Sequence, residues 1–508
     1  MTTQTERLNF RLRSFAFSGI EARPVWVEVQ ISTGLPAFLI VGLPDKAVGE
    51  SRERVRAALT SIGLALPAKR ILVNLVPADL PKEGAHLDLP IAIALLAAMQ
   101  VIPSEEAASY AALGELSLDG RLNAVSGVLS AALEAASMGL GLICPASQGE
   151  EALCGGDIAI LAAPNLLSLI NHFHGRQLLI QPVFTNPPAD QTTHDKSLTP
   201  DLADIKGMQM GRRALEIAAA GGHSLLLSGP PGSGKSMLAA RLVGLLPDLT
   251  PVESLEVSRI YSAAGLLDGG RPLRRPPYRD PHHSASLPAL VGGGTKAKPG
   301  EISLADHGVL FLDELPEFSR TALEALRQPL ETGRVSIARA STHVTYPARF
   351  QLIAAMNPCR CGYLGDATRE CRKAPRCGEE YMARLSGPLL DRIDLHMTMQ
   401  PYEPLTYMTE PASESSAVVA QRVFTARNRQ KERQGDVVNA LAPIDDLHLS
   451  PAAQDMAQKI AQRFRLSARG YTRLTRVART IADLAASPAV EPAHMAEAAT
   501  FRLRSNSL

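Results

Sequence analysis

The sequence predicts an α/β fold: a parallel-sheet core in the middle of the chain, a mixed α/β unit before it and a small helical unit after it. Three observations predict it. The string GPPGSGKS at 229–236 stands between an apolar run, HSLLLS, and a helical one, MLAARLVGLL. A second apolar run, GVLFLDE at 308–314, ends in two acids, and short apolar runs alternate with helical periodicity through the middle of the chain.

At 508 residues the chain exceeds one ordinary core, and about 150 residues per domain gives roughly three units. With 45% apolar and 20% charged residues it has the composition of a globular protein. The first unit is expected over 1–180, with strands at 25–31, 37–41 and 70–75 and helices at 46–62 and 89–99. Residues 181–204, rich in Pro, Thr, Asp and Gln, read as a linker. The core follows over 205–402, with strands at 224–228, 308–312 and 350–355. Helical periodicity at 416–432, 450–464 and 471–486 marks the last unit, 403–508, and no internal repeat is evident.

The formal charge of +1 excludes a global attraction to polyanions, so any nucleic-acid contact has to come from local basic patches. The first residues carry Glu6, Arg7, Arg11 and Arg13 rather than an apolar leader, and the best apolar run, 89–99, is short of membrane-spanning length. A cytoplasmic location away from membranes is expected. Six cysteines without a secretion signal do not make a disulfide framework.

A loop that binds polyphosphate must turn successive backbone N–H groups to the ligand, with no side chain in the way and a helix N-terminus behind. Gly229, Pro230, Pro231, Gly232, Ser233 and Gly234 form such a loop. Lys235 adds a mobile charge for the β- and γ-phosphates, and the Ser236 hydroxyl suits Mg²⁺. ATP and Mg²⁺ are therefore the expected cofactors. A carboxylate ending a buried strand lies beside such a loop, which makes Asp313 a Mg²⁺ contact through water and Glu314 the base that orients the attacking water. An Asp-Glu pair alone would read as a solvated strand end. Asn357, closing FQLIAAMN, is either a polar group reaching the γ-phosphate or lytic water, or the start of a turn before Pro358.

Cys359, Cys361, Cys371 and Cys377 fall within nineteen residues, with Gly362, Gly365 and Pro375 allowing turns between them. Two readings stand: a closed tetrahedral Zn²⁺ site, or four reduced thiols. Cys144 and Cys154 read as buried apolar residues. Residues 333–347, GRVSIARASTHVTYP, read as two β runs around an Ala-Ser turn.

With these residues in hand, the chain resembles the magnesium-chelatase-like AAA+ ATPases, most closely their bacterial YifB/ComM branch. The resemblance rests on GLPDKAVGESRERVRAAL, NLVPADLPKEG, GPPGSGKSMLA, RDPHHSASLPALVGGG, PGEISLADHGVLFLDELPEF, AAMNPCRCGY and RLSGPLLDRIDL, and it spans nearly the whole chain. It implies a sensor-1 role for Asn357, an arginine finger at Arg392 with Arg384 as its rival, and a sensor-2 role for Arg469. A finger that reaches a neighbouring subunit's γ-phosphate implies a ring, expected to be a homo-hexamer; a planar guanidinium suits the charge that develops on phosphoryl oxygens.

The resemblance also implies a helix-2 insert at 279–294 and a hairpin before sensor 1 at 333–347, loops that line the pore of related ring motors. Arg334, Arg339 and His343 on the hairpin, with Arg274, Arg275, Arg279, His282 and His283 upstream, are then candidate DNA contacts, against the alternative of ordinary solvated charge. The activity implied is an ATP-driven motor that promotes branch migration and unwinding of DNA during homologous recombination in natural transformation, alongside recombination proteins. The rival is a chelatase-type remodeller of a protein partner.

The first 180 residues resemble the ribosomal S5 domain 2-like α/β domain shared with Lon-type proteases and RadA. Peptide cleavage there needs a serine activated by a lysine. Matching PKEGAHLD puts His86 at the nucleophile position, and matching AVSGVLSAALEAA puts Leu129 at the lysine position. Proteolysis is therefore not expected, and His86 beside Asp88 reads as support for a helix start. A scaffolding or DNA-binding role is expected for this unit.

Overall fold

The computed structural model describes residues 8–184, 200–294, 297–338, 343–364, 371, 373–400 and 413–502. Its first sheet has seven strands, in the spatial order Ala37–Val41, Arg70–Val76, Glu21–Ser32, Leu8–Ser18, Tyr110–Ala112, Gly141–Pro145 and Ile160–Ala163. The long pair Leu8–Ser18 and Glu21–Ser32 is antiparallel, whereas Leu8–Ser18 runs parallel to Tyr110–Ala112. Leu8–Ser18 was not among the expected strands, because Arg11 and Arg13 interrupt its apolar run. Both guanidiniums lie over the Trp26 ring of the neighbouring strand, Arg13 at 3.5 Å and Arg11 at 4.5 Å from its centroid, so a charged row is held on the sheet surface. Beneath the sheet lies Asp88–Ala98, buried along its whole length, as a helix apolar all round must be.

The second sheet has five strands, all parallel, in the order Tyr278–Arg279, Val309–Leu312, Gln351–Met356, Leu225–Ser228 and Leu395–Thr398. Helices cover both faces, which is why VLFL and QLIAAM are continuous apolar runs rather than alternating ones. Adjacent parallel strands end on the same side. The residues following Ser228, Leu312 and Met356 therefore meet at one edge of the sheet, the usual place for a ligand in an open α/β sheet.

The terminal helices Ser416–Gln434, Pro451–Arg463, Ala468–Leu484 and Pro492–Thr500 share one apolar core with this sheet: Val419, Leu474, Ile481 and Phe501 pack with Leu225, Val309 and Ile353. Ala468–Leu484 begins three residues before the expected start because Ser467 Oγ caps it, accepting from the Gly470 N–H at 3.0 Å.

Helix Pro251–Ala264 joins the two sheets. Its Ser262 hydroxyl donates to Glu151 Oε1 at 2.6 Å, and its Arg259 donates to the Ile20 carbonyl at 3.0 Å. Gly19 turns the first hairpin at φ +66 against Val344; a Cβ there would stand 2.6 Å from Val344 Cγ1, so only glycine fits. Among the described residues no helix is long and apolar enough to cross a membrane.

Candidate active site

Gly232 and Gly234 both have positive φ, at +77 and +81, and together they wrap the loop ahead of helix Lys235–Arg241. Lys235, only 8% exposed, donates to the carbonyls of Gly229 at 2.7 Å and Pro230 at 2.9 Å, and to Asn357 Oδ1 at 3.2 Å. Burial lowers the pKa of its ammonium, and Asp313 and Glu314 pull the other way. Asn357 thus faces the phosphate loop from the adjacent strand, as the reading of a third polar group requires.

Ser236 Oγ donates to Asp313 Oδ2 at 2.7 Å. A hydroxyl and a carboxylate, both hard oxygens in contact at the end of one sheet, are the donor set that Mg²⁺ prefers, so these residues fit the ion. Glu314 follows in the left-handed region at φ +51, a strained conformation for a non-glycine residue, and its side chain is exposed. Its backbone N–H donates to Asp313 Oδ1 at 2.8 Å.

Two residues near these carboxylates were not read as part of the site. His283 Nδ1 lies 3.3 Å from Glu314 Oε2, with its ring against His282 at 4.1 Å between centroids. Asp280, just past the edge strand Tyr278–Arg279, has its pKa raised by burial and then by the negative charge of Asp313. The acid and two histidines of DPHHS, immediately after a strand, are a local signal for both.

Arg392 is 6% exposed. One terminal nitrogen donates to the Pro388 carbonyl at 2.6 Å, and the other bonds Glu331 in a very short ion pair. Arg469, 65% exposed, lies 3.5 Å from the same Glu331 oxygen. The two arginines therefore come together, though on neither the phosphate loop nor Asp313 or Glu314. Arg384, the rival, is half exposed and pairs with Glu317 at 2.8 Å. Glu331 lies 61 residues from Arg392 and carries no local motif, so nothing in the sequence pointed to it.

The hairpin exists as Arg334–Ala338 paired antiparallel with His343–Pro347. Val335, Ile337, Val344 and Tyr346 bury one face, leaving Arg334 and Ser336 exposed on the other. Arg339 lies outside the described residues, and for His343 only the backbone is described.

Upstream, two expected DNA contacts have other partners. Arg279 is an edge-strand residue bound bidentately by Glu301, at 2.5 and 2.8 Å, and His283 stands at Glu314. A cation neutralised inside its own chain is poorly placed to meet phosphates. His282 and Arg274 are exposed.

In the first unit, His86 is buried with Nε2 2.9 Å from the Phe15 carbonyl, and Leu129 is fully buried. Asp88 accepts from Arg54 at 2.6 and 3.0 Å and from the Leu116 N–H at 3.2 Å. The Phe15 carbonyl lies at the histidine, and Arg54 and a backbone N–H hold the aspartate.

The four clustered cysteines do meet: their sulfurs lie within 4.8 Å of one another, and those of Cys359 and Cys361 are 3.1 Å apart. Cys144 is buried, as expected, whereas Cys154 is only partly so.

Three family models match the chain: "Magnesium chelatase, subunit ChlI" over residues 201–406, "Subunit ChlI of Mg-chelatase" over 27–148, and "Magnesium chelatase, subunit ChlI C-terminal" over 413–502. The chain is 44% identical over 490 residues to the YifB protein of Escherichia coli, covering 95% of each chain. It is also 44% identical over 496 residues to the competence protein ComM of Haemophilus influenzae, covering 96% of each. The magnesium-chelatase 67 kDa subunit of Chlorobaculum parvum is more distant, 28% identical over 161 residues that make up 31% of this chain and 23% of that one.

Proposed function

The chain belongs to the magnesium-chelatase subunit ChlI family, and on that premise we propose that it is an ATP-hydrolysing ring motor acting on DNA, promoting branch migration and unwinding during recombination of transforming DNA. The hydrogen bond from Lys235 to Asn357, beside that from Ser236 to Asp313, carries the hydrolytic part: one cation, one amide, one hydroxyl and one carboxylate converge at the carboxyl edge of a parallel sheet. The likeness to the competence protein ComM supports the part concerning transformation.

In this reading Lys235 exchanges its loop carbonyls for the β- and γ-phosphate oxygens of ATP. Ser236 and Asp313 would hold Mg²⁺, which would neutralise phosphate charge when bound. Glu314, exposed at the end of its strand, takes a proton from the attacking water, and Asn357 orients that water. His283 lies beside the Glu314 carboxylate, where it can orient the base. Arg392 serves as the finger that reaches a neighbouring subunit's γ-phosphate and Arg469 as sensor 2, and each exchanges its bond to Glu331 for a phosphate oxygen.

Strand displacement on a forked DNA by the wild-type protein, lost in Lys235→Ala and Glu314→Gln, is the expected outcome; displacement by either variant would sink the mechanism. Mixing Arg392→Ala subunits with Lys235→Ala subunits, each inactive alone, is expected to restore part of the ATPase activity, because the intact phosphate loop of one then meets the intact finger of the other. A chelatase-type remodeller of a protein partner is the second reading, favoured by the match of the core to the chelatase subunit model.

A further inference from the structure

The cysteine loop is not used by the ATPase mechanism, yet it begins two residues after Asn357. Its four sulfurs all lie within 4.8 Å of one another, the closest pair at 3.1 Å. A tetrahedral ion about 2.3 Å from each of four thiolates would set sulfur–sulfur edges of about 3.8 Å, inside that range. A polynuclear iron–sulfur cluster spreads its terminal sulfurs over several metal ions and needs a wider cage. Cys359 is buried while Cys361 is exposed, and the Gly362 N–H donates to the Cys359 carbonyl at 3.0 Å, turning the chain tightly between the first two sulfurs. Arg360 and Lys373, next to the cage in sequence, are of the sign that offsets the net negative charge four thiolates leave on a divalent ion, whereas Arg376 is paired with Glu380 at 3.0 Å.

We propose that Cys359, Cys361, Cys371 and Cys377 bind one structural Zn²⁺, which clamps this loop against the phosphate loop. The contact is close. A Cβ on Gly362 would stand 2.6 Å from Pro231 Cδ, and one on Gly378 would stand 2.4 Å from Leu364 Cδ2. Four sulfur ligands leave no open position for water, so the ion is structural rather than catalytic. By holding Gly362 on Pro231, it fixes the backbone between Asn357 and the phosphate loop. This inference stands whether the motor acts on DNA or on a protein.

The test is the metal content of full-length protein purified without chelators. Wild type is expected to carry about one Zn per chain, and Cys361→Ser/Cys377→Ser to have lost nearly all of it, about tenfold or more. Because that variant removes the more exposed ligands, its fold is checked by circular dichroism. A second measurement uses wild type alone: exchange with Co²⁺ should give the ligand-field absorption of a tetrahedral tetrathiolate site. Zinc near zero with no uptake of added Zn²⁺ or Co²⁺ would overturn the proposal. So would zinc that persists in the cysteine variant, which would point to the Glu256, Asp306 and His307 group instead, and so would stoichiometric iron with acid-labile sulfide.

Discussion

Both sheets of this molecule carry charged and polar side chains at the start of a buried helix or the end of a buried strand, and the two sheets use them in opposite ways. In the first unit, Asp88 is locked by Arg54 and by a backbone N–H, and His86 is held by a backbone carbonyl. These bonds all run inward, to buried or partly buried neighbours. In the parallel sheet, Lys235, Ser236, Asp313 and Asn357 bond mainly to one another and to their own loop, with Ser236 and Glu314 exposed. Groups that bond to each other at an open edge can exchange those bonds for a ligand's, whereas groups bonded to buried backbone cannot do so without unfolding part of the chain.

The comparison predicts rate effects from one cluster and stability effects from the other. Glu314→Gln should lower kcat for ATP hydrolysis by about 10²- to 10⁴-fold, the usual worth of a positioned general base, with no change in melting temperature. A wild-type rate in this variant would remove Glu314 from the chemistry. Asp88→Ala should do the reverse, costing about 3 kcal/mol by leaving Arg54 without its buried partner while kcat of the folded protein stays unchanged. Thermal unfolding monitored beside ATPase rate separates the two.

The group on helix Pro251–Ala264 and its neighbours sharpens the contrast, because it lies in the core unit yet is closed like the first unit's cluster. His307 contacts Glu253 at 3.3 Å and Glu256 at 2.9 Å. Burial works against protonation of His307, but Glu253, Asp306 and Glu256 outweigh it and raise its pKa. Its stabilising effect is therefore full below the ordinary histidine value and is lost as pH rises through the raised one. For Asp306 burial acts in the opposite sense, pushing its carboxyl up to about 6 against the pull of His307, and its contribution declines as pH rises through that value. Wild type should melt at a lower temperature at about pH 8 than at about pH 5.5, and His307→Gln should flatten that slope without altering kcat. An equal slope in both proteins would clear this cluster of any role. The smallest effect is expected at Thr250, whose hydroxyl and Glu253 form a capping box at the start of the same helix; Thr250→Ala should cost about 1 kcal/mol in denaturant unfolding.

What the sequence disclosed follows the range of the interactions involved. The phosphate loop and the acids after GVLFL were legible because each is one short string on one strand end, and the parallel sheet because its strands are apolar on both faces. The hairpin was legible from its alternation, borne out by buried Val335 and Ile337 beside exposed Arg334. Glu331 and the turn of His283 toward Glu314 were not, since each depends on a contact between distant segments that no local pattern encodes. Strand Leu8–Ser18 escaped because Trp26, on another strand, makes its arginines compatible with a sheet. Arg279 shows the converse: a basic residue read as available proves to be committed to Glu301.

The most direct test of the central claim is the ATPase rate of the purified full-length chain, measured without DNA and with single-stranded, duplex and forked DNA. The account predicts stimulation by single-stranded or forked DNA that disappears in Lys235→Ala. A rate indifferent to every DNA, but raised by a protein partner, would contradict it.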